Sequence, residues 1–140
     1  KDRSKLLLNR VSKILKNKKR NKKICFLGVT FKANTDDMRE SSSIKMIPYL
    51  SKKGAKITYF DPTGYKKEFK NFKNVFNAKT IKEACNDSDL IIIHTEWNDF
   101  KSLNFEKLNK KKNFKIYDMR NILQNGKIKK NNKRYFGIGK

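Results

Sequence analysis

The polar residues that could do chemistry are concentrated in residues 28–43, which read G-V-T-F-K-A-N-T-D-D-M-R-E-S-S-S. Lys32 offers an ammonium point charge that suits a diphosphate or a sugar hydroxyl. Arg39 offers a guanidinium that can bind a phosphate through two parallel hydrogen bonds. Both residues also have a simpler interpretation. In this interpretation Lys32 is a solvated lysine in a lysine-rich chain, and Arg39 pairs with a neighbouring carboxylate and fastens the loop.

Two further polar strings each follow an apolar run. In I-H-T-E-W-N-D-F, His94 is the only histidine of the chain, and a lone histidine at a strand end is usually a satisfied structural residue. Trp97 is expected to pack under its loop, although an aromatic ring at a ligand edge could also flank a base. In Y-D-M-R-N, Arg120 is a candidate fork for a phosphate or a sugar. Its simpler interpretation is a salt bridge to Asp118.

No motif predicts a nucleophile or a metal site. Ser41, Ser42 and Ser43 are interpreted as helix caps, because no histidine is placed by motif to activate them. Their helix N-terminus could still help to hold an anion. Cys25 and Cys85 form no CxxC and are expected to be packed thiols. We therefore predict no catalytic residue and no metal ligand in this chain.

The elements that must position these residues alternate between strand and helix. Helical spacing over residues 2–15 predicts one leading helix. Apolar runs predict strands at 24–29, 57–60, 90–94, 114–117 and 135–138, and the segments between them predict helices at 44–53, 81–86 and 105–112. This order predicts an α/β fold, a Rossmann-like, doubly wound and mostly parallel sheet preceded by one helix. Ligands bind such sheets outside the carboxyl ends of the strands, where the three polar strings meet.

Local signals refine this prediction. Gly54 is expected to close the helix after the serines in a left-handed conformation. Pro48 lies inside that helix, so we expect a late helix start or a kink. The dinucleotide fingerprint G-x-G-x-x-G is missing from the first loop. Any phosphate bound there must therefore be held by side chains rather than by glycine backbone.

The length and the apolar content favour one soluble domain. A chain of 140 residues can bury a substantial core, and two full domains would be hard to fit. No apolar run approaches the ~20 residues that a membrane span requires, and no signal-peptide pattern begins the chain. We expect a cytoplasmic protein without membrane contact.

The formal net charge of +23, from 36 Lys plus Arg against 13 Asp plus Glu, could attract nucleic acid. Lysine dominates arginine, however, and the charge is spread along the chain, with its densest runs at 16–23, 107–115 and 127–134. A dedicated nucleic-acid surface usually concentrates the charge and uses more arginine. Solvated faces and overall composition therefore explain the charge better than a nucleic-acid partner does.

Five strings together resemble one known family: F-K-A-N-T-D-D-M-R-E-S-S-S, G-A-K-I-T-Y-F-D-P, D-S-D-L-I-I-I-H-T-E-W-N-D-F, Y-D-M-R-N and Y-F-G-I-G. In order and spacing they resemble the C-terminal nucleotide-binding domain of the UDP-glucose/GDP-mannose dehydrogenases, over nearly the whole chain. The T-E-W-x-x-F string is more similar to the UDP-glucose 6-dehydrogenases than to the GDP-mannose dehydrogenases.

The resemblance implies a cytoplasmic, NAD-dependent enzyme that oxidises UDP-glucose to UDP-glucuronate for polysaccharide synthesis. It implies two Rossmann-like domains joined by a central helical segment, with a homodimer built through that segment. Residues 1–20 would be the end of the central segment, and residues 21–140 would be the UDP-sugar-binding domain. The N-terminal NAD-binding domain would be the partner of this chain.

The same resemblance assigns roles to four residues. By matching position, Phe31, Lys32 and Arg120 would contact the UDP-sugar, and Arg39 would reach the NAD across the domain interface. The glycine loop of the N-terminal domain and the segment with the thioester-forming cysteine have no counterpart in this sequence. We therefore expect that this chain alone does not catalyse the reaction.

Two other functions stay open on the sequence. The first is a non-enzymatic, basic nucleic-acid-binding domain, whose affinity would fall steeply with added salt. The second is a stand-alone regulatory nucleotide sensor, which would differ from the enzyme domain only in lacking a catalytic partner domain.

Overall fold

The computed structural model describes residues 3–123 and 134–137. The described part contains four α-helices, six β-strands and short 3-10 helices at Lys67–Phe69 and Asn98–Phe100. In chain order the main elements are α1 (Arg3–Ile14), β1 (Lys23–Leu27), α2 (Ser43–Lys52), β2 (Lys56–Phe60), β3 (Val75–Asn77), α3 (Ile81–Cys85), β4 (Leu90–Ile93), α4 (Phe105–Leu108), β5 (Lys115–Asp118) and β6 (Tyr135–Gly137).

The six strands form one sheet in the order β3-β2-β1-β4-β5-β6. Every neighbouring pair is parallel, with β1 aligned on β4 from Ile24 opposite Leu90 to Leu27 opposite Ile93. The predicted doubly wound α/β sheet is confirmed. Its strand order reverses between β1 and β4, and a crevice opens at such a reversal outside the carboxyl ends of the strands.

Helices cover both faces of the sheet. Side chains of a strand alternate between faces, so Ile24 and Phe26 of β1 join one core while Cys25 and Leu27 join the other. The first core also contains residues of α1 and α2, and the second contains residues of α3 and α4. Because both faces are buried, the central strands are continuous apolar runs such as L-I-I-I in β4.

Most predicted elements lie where the sequence places them. Helix α1 occupies the predicted leading helix, whose first predicted residue, Asp2, lies outside the described residues, as does Ile138 of the predicted last strand. The predicted helix at 105–112 is too long, because α4 ends at Leu108. Asn109 is buried, and its side-chain oxygen accepts hydrogen bonds from the backbone N–H groups of Asp87 and Ser88 at 2.8 and 3.2 Å. These bonds to the segment before β4 hold Asn109 outside the helix.

The sequence analysis missed β3. This strand has only three residues, and it pairs with β2 at the edge of the sheet. Its central residue, Phe76, is 55% exposed, so the strand has no buried alternation that a pattern could reveal.

The expectation of a late start for α2 is wrong, because the helix begins at Ser43 and continues through Pro48 to Lys52. Pro48 has no N–H to donate to the carbonyl of Ile44, but that turn is partly exposed, so water can bind the carbonyl. The predicted end of the helix is confirmed. Gly54 has a φ of +93°, and Ala55 donates its N–H to the carbonyl of Leu50 at 3.1 Å.

Cys25 of β1 and Cys85 of α3 are packed thiols, as predicted, and both are fully buried and free. They lie in the same core. Burial raises the pKa of Cys25, and a hydrogen bond with the Cys85 side chain raises it further. Within residues 3–123 and 134–137, no helix is long and apolar enough to cross a bilayer.

Candidate functional site

The loops after the central strands meet at the carboxyl edge of the sheet. Backbone hydrogen bonds join them across the strand ends: Gly28 N–H to Phe60 O at 2.7 Å, His94 N–H to Leu27 O at 3.0 Å and Met119 N–H to Ile93 O at 3.1 Å. The three polar strings of the sequence thus lie together, at the reversal of strand order between β1 and β4.

Gly28 allows the first loop to approach the loop that follows β4. Its φ is +82°, in the left-handed region, and a Cβ at this position would lie 2.5 Å from Cβ of Thr95. A larger residue would be strained in its backbone and would also push the two loops apart.

The first loop, residues 28–42, is held in shape by its own hydrogen bonds. Phe31 donates its N–H to the carbonyl of Asp37 at 3.0 Å, which closes the loop on itself. At its start, the buried carboxylate of Asp61 accepts the N–H of Val29 at 2.8 Å. The end of β2 therefore positions the beginning of this loop.

Arg120 ties the loops together with its side chain. Its Nε donates to the carbonyl of His94 at 2.9 Å, and its Nη2 donates to the carbonyl of Phe31 at 3.1 Å. Its ionic partner is Glu96, whose Oε1 lies 3.4 Å from Nε. The simpler interpretation of Arg120, a salt bridge to Asp118, is wrong: Asp118 is fully buried and accepts the Arg120 backbone N–H instead, at 3.1 Å.

A cavity of about 840 Å³ opens beside these loops. It is lined by Arg3, Ser4, Phe31, Glu40, Ser41, Ser42, Ile44, Lys45 and Arg120. This lining contains three cationic side chains and one carboxylate, so the cavity carries a positive potential. The ring of Phe31 is 43% exposed and adds an apolar surface. A cationic cavity with one exposed aromatic ring suits an anionic ligand that carries a ring.

The structure brings together two of the four predicted site residues. Phe31 and Arg120 line the cavity and are hydrogen-bonded to each other. Lys32 is exposed and lies outside the cavity lining. Arg39 also lies outside it, and the ligand roles of all four residues stay predictions.

Arg39 is paired with Asp37 through two parallel hydrogen bonds, Nε to Oδ1 and Nη2 to Oδ2, both of 3.0 Å. These bonds hold the pKa of Asp37 below its ordinary value and raise the pKa of Arg39. The Arg39 side chain is 88% exposed, so the pair fastens the loop while the guanidinium still faces solvent.

The three serines fasten the first loop more than they cap α2. The hydroxyls of Ser41 and Ser43 both donate to the carbonyl of Val29 at 2.6 Å. Ser42 stands at the N-cap, but its side chain makes no capping hydrogen bond. The first N–H groups of α2 are already bonded, that of Ile44 to Ser41 O at 3.2 Å and that of Lys45 to Ser42 O at 3.1 Å. This helix end therefore offers an anion its dipole but not those two donors.

His94 is a satisfied buried residue, as predicted. It is 1% exposed, its Nε2 lies 2.9 Å from Oγ of Ser42, and its Nδ1 lies 3.0 Å from Oγ1 of Thr95. Burial lowers the pKa of His94 to about 3, and the positive charges of Arg120 and Arg3 lower it as well. Trp97 is also buried under its loop, as expected.

Sequence reasoning missed several residues of the cavity. Arg3 lies on α1, far from the motif strings, and only the tertiary packing of that helix brings it to the cavity. The sequence pattern indicates Ser42 only as a helix cap, although the single histidine after β4 is a signal that a serine hydroxyl can pair with it. In residues 3–123 and 134–137, no three His, Cys, Asp or Glu side chains are grouped to hold a metal ion.

Comparison with known proteins identifies similar sequences. Residues 25–125 match the profile of the UDP-glucose/GDP-mannose dehydrogenase family, UDP binding domain. The chain is 38% identical over 136 residues to the UDP-glucose 6-dehydrogenase of Rickettsia prowazekii (strain Madrid E). This match covers 95% of the chain but only 31% of the relative, so the chain spans about a third of that protein's length.

Solved structures share the fold. A UDP-D-ManNAc dehydrogenase from Pyrococcus horikoshii matches with a TM-score of 0.69 and 26% identity, over 97% of this chain and 30% of its own. A UDP-glucose dehydrogenase from Pyrobaculum islandicum matches with a TM-score of 0.73 over 96% of this chain and 29% of its own. At 23% identity, this second match supports the fold alone.

Proposed function

The chain belongs to the UDP-glucose/GDP-mannose dehydrogenase family, and we propose that it is the nucleotide-sugar-binding domain of a UDP-glucose 6-dehydrogenase. The observation that carries this proposal is the pairing of Phe31 with Arg120 at a cationic cavity, at the reversal of strand order. Both residues come from motif strings of the family, and they come from loops that are 89 residues apart in sequence.

Arg120 is suited to hold the diphosphate. Its bonds to two backbone carbonyls fix the guanidinium in place before a ligand arrives. A guanidinium has five N–H donors, so three remain for phosphate oxygens. Because the side chain is already ordered, little conformational entropy is lost when it binds a phosphate.

Phe31 and the lysines supply the remaining affinity. The exposed ring of Phe31 can pack against a ring of the nucleotide, which removes apolar surface from water. Lys45 lines the cavity and Lys32 lies on the adjacent loop, so both add positive potential.

The role of the chain in a larger enzyme belongs to the same proposal. We assign residues 1–20 to the end of a central helical segment and residues 21–140 to the UDP-sugar-binding domain. The partners are an NAD-binding domain on a longer parent chain and a second copy of the enzyme. The thioester-forming cysteine belongs to the central segment of the parent enzyme, because the two thiols of this chain are fully buried and cannot reach a ligand in the cavity.

Arg39 fits one contact to the NAD rather than a complete site. Its guanidinium is oriented by Asp37 and 88% exposed, so it can meet an anionic group presented from outside this chain. The loop around it has no glycine-rich cradle for a dinucleotide. When bound, NAD supplies the acceptor for the hydride, and Arg39 contributes only to its binding.

Isothermal titration of the chain with UDP, GDP and a short DNA duplex tests the proposal. We expect saturable binding of UDP in preference to GDP. Arg120→Ala should weaken UDP binding by roughly 10- to 100-fold, since charge-assisted hydrogen bonds are lost. Lys32→Ala, which removes one exposed charge, should weaken it by only about 2- to 5-fold. Arg20→Ala makes the same change as Arg120→Ala just before β1, outside the lining of the cavity, and should leave the affinity unchanged.

Unchanged affinity in both Arg120→Ala and Lys32→Ala would contradict the site. The net charge of +23 favours a second candidate function, nucleic-acid binding, and the DNA titration tests it. Binding of the duplex without binding of UDP, with an affinity that falls steeply with salt, would support that candidate instead.

A further inference from the structure

Ser42 ends a chain of side-chain hydrogen bonds that begins deep in the protein. Thr95 Oγ1 lies 3.0 Å from the carbonyl of Thr30 and 3.0 Å from Nδ1 of His94. On the other side of the ring, His94 Nε2 lies 2.9 Å from Oγ of Ser42. Thr95 and His94 are fully buried, whereas Ser42 is partly exposed and lines the cavity.

The position of every proton in this series of hydrogen bonds follows from its buried end, the carbonyl of Thr30. A carbonyl can only accept, so the single hydroxyl proton of Thr95 is donated to Thr30. Oγ1 of Thr95 must then accept from His94, which places the proton of the neutral imidazole on Nδ1. Nε2 is therefore an acceptor, and the hydroxyl of Ser42 donates to it.

This arrangement does not make Ser42 a nucleophile. A serine–histidine pair acts in catalysis only if the imidazole can take the proton and stay charged. His94 is fully buried, it is near the positive charge of Arg120, and its Nδ1–H faces a neutral hydroxyl rather than a carboxylate. The imidazole therefore stays neutral, and it fixes the direction of the Ser42 proton without removing it.

We propose that Ser42 is a specificity-determining residue whose hydroxyl oxygen can only accept hydrogen bonds in the cavity, with His94 as its positioning residue. It would select ligands that present an N–H or O–H donor, such as the imide N–H of uracil or a hydroxyl of the hexose. This inference rests on the proposed function, because it takes the cavity to be the nucleotide-sugar site.

The composition of the cavity gives such an acceptor a distinct role. Arg3, Lys45 and Arg120 can only donate, and they suit the anionic part of a ligand. Ser41 also lines the cavity, but its hydroxyl is bonded to the carbonyl of Val29. Ser4 belongs to the lining as well, but Ser4 and Ser41 are buried, whereas Ser42 is partly exposed. Ser42 and the carboxylate of Glu40 are thus the exposed side-chain acceptors that the described lining offers to a neutral donor.

The proton arrangement can be measured without a ligand. Nitrogen-15 labelling of histidine gives the signals of one residue, since the chain has one histidine. Long-range proton–nitrogen correlation spectra should show a neutral ring protonated at Nδ1 throughout pH 5 to 8, and Ser42→Ala should shift the Nε2 resonance. A ring protonated at Nε2, or a charged ring at pH 6, would overturn the inference.

The selection for a donor is tested by binding. Ser42→Ala should weaken the binding of UDP-glucose by about 3- to 10-fold, the effect of one lost hydrogen bond. Ser12→Ala is the matched control, because Ser12 is also partly exposed but lies on α1 outside the cavity lining. The effect of Ser42→Ala should vanish for the ligand that lacks the donor. It vanishes for UDP if the donor is on the hexose, and for N3-methyl-UDP if the donor is the uracil imide.

If Ser42→Ala weakens the binding of every ligand equally, or weakens the binding of none, the selection for a donor is overturned. A chain that binds no uridine ligand at all would contradict the proposed function, and the histidine spectra would still decide whether Ser42 is limited to accepting. The two failures are therefore distinguishable.

Discussion

At the scale of single residues, the carboxyl edge of the sheet is built by side chains that bind backbone carbonyls. Arg120 binds the carbonyls of Phe31 and His94, and Ser41 and Ser43 bind that of Val29. The sequence predicted that the loops with Lys32, Trp97 and Arg120 meet, because loops after parallel strands lie at one edge of the sheet. The resemblance to the family assigned Phe31 and Arg120 to one ligand. The sequence could not predict these carbonyl partners, since backbone acceptors have no residue type that a motif could reveal.

The buried His94 makes the stability of the fold depend on pH. Its folded pKa of about 3 lies below the ordinary value of 6.5, so the unfolded chain binds more protons than the folded chain. The stabilisation is complete above pH 6.5 and is lost as the pH falls toward 3. Between pH 7.5 and 5.5 the free energy of unfolding should drop by about 1.4 kcal/mol.

Urea unfolding at the two pH values measures this drop. His94→Gln supplies the control, because it removes the only group of ordinary pKa near 6.5 and should make the free energy of unfolding nearly constant across the window. An equal drop in the variant and in the native chain would show that other groups are responsible.

Gly28 should tolerate no side chain. Gly28→Ala combines a left-handed backbone with a Cβ placed 2.5 Å from Thr95, so we expect a loss of at least about 2 kcal/mol in the free energy of unfolding. Gly64→Ala is the matched control. Gly64 has a similar φ of +89° but open space around it, and it should lose only about 1 kcal/mol. Similar losses in the two variants, measured by urea unfolding, would show that crowding against Thr95 is unimportant.

At the scale of elements, the long and buried strands were predictable and the short edge strand was not. Strand β4 is a continuous apolar run, which is typical of a central parallel strand. Strand β3 has three residues, and pairing with β2 rather than its own pattern makes it a strand. Helix α4 is shorter than its pattern because a tertiary contact of Asn109 ends it.

Helix α2 forms although Pro48 lies inside it, and we expect that this proline lowers the stability of the fold. Pro48→Ala should raise the free energy of unfolding by about 1 to 2 kcal/mol, since it restores an N–H donor for Ile44, less the entropy that proline removes from the unfolded chain. Lys52→Ala, in the last turn of the same helix, should change the stability by less than about 0.5 kcal/mol. A loss of stability in Pro48→Ala, measured by thermal unfolding, would mean that the ring itself packs favourably.

At the scale of the whole molecule, the fold is a doubly wound sheet with a cationic cavity at its strand reversal, in a chain of formal net charge +23. Composition predicted an attraction for anions. It could not predict that Arg3, Lys45 and Arg120 lie around one cavity, because that grouping depends on how α1 and α2 pack on the sheet.

This charge should make nucleotide binding sensitive to salt. Raising the ionic strength from 0.1 to 1 M shortens the screening length from about 10 to 3 Å, so the affinity for UDP should fall by roughly 3- to 10-fold. Uridine, which has the same base and ribose but no phosphate, is the control and should bind with nearly constant affinity. Titrations at the two salt concentrations measure both, and an equal loss for uridine would exclude an electrostatic cause.

The two fully buried thiols have one more consequence. Because Cys25 and Cys85 are sealed in the same core, a thiol reagent such as iodoacetamide can alkylate them only when that core opens. Mass spectrometry of the labelled chain should therefore show molecules with two added groups or none, and few with one. The rate of double alkylation thus reports how often the core around the sheet opens, and no probe has to be attached to the protein to measure it.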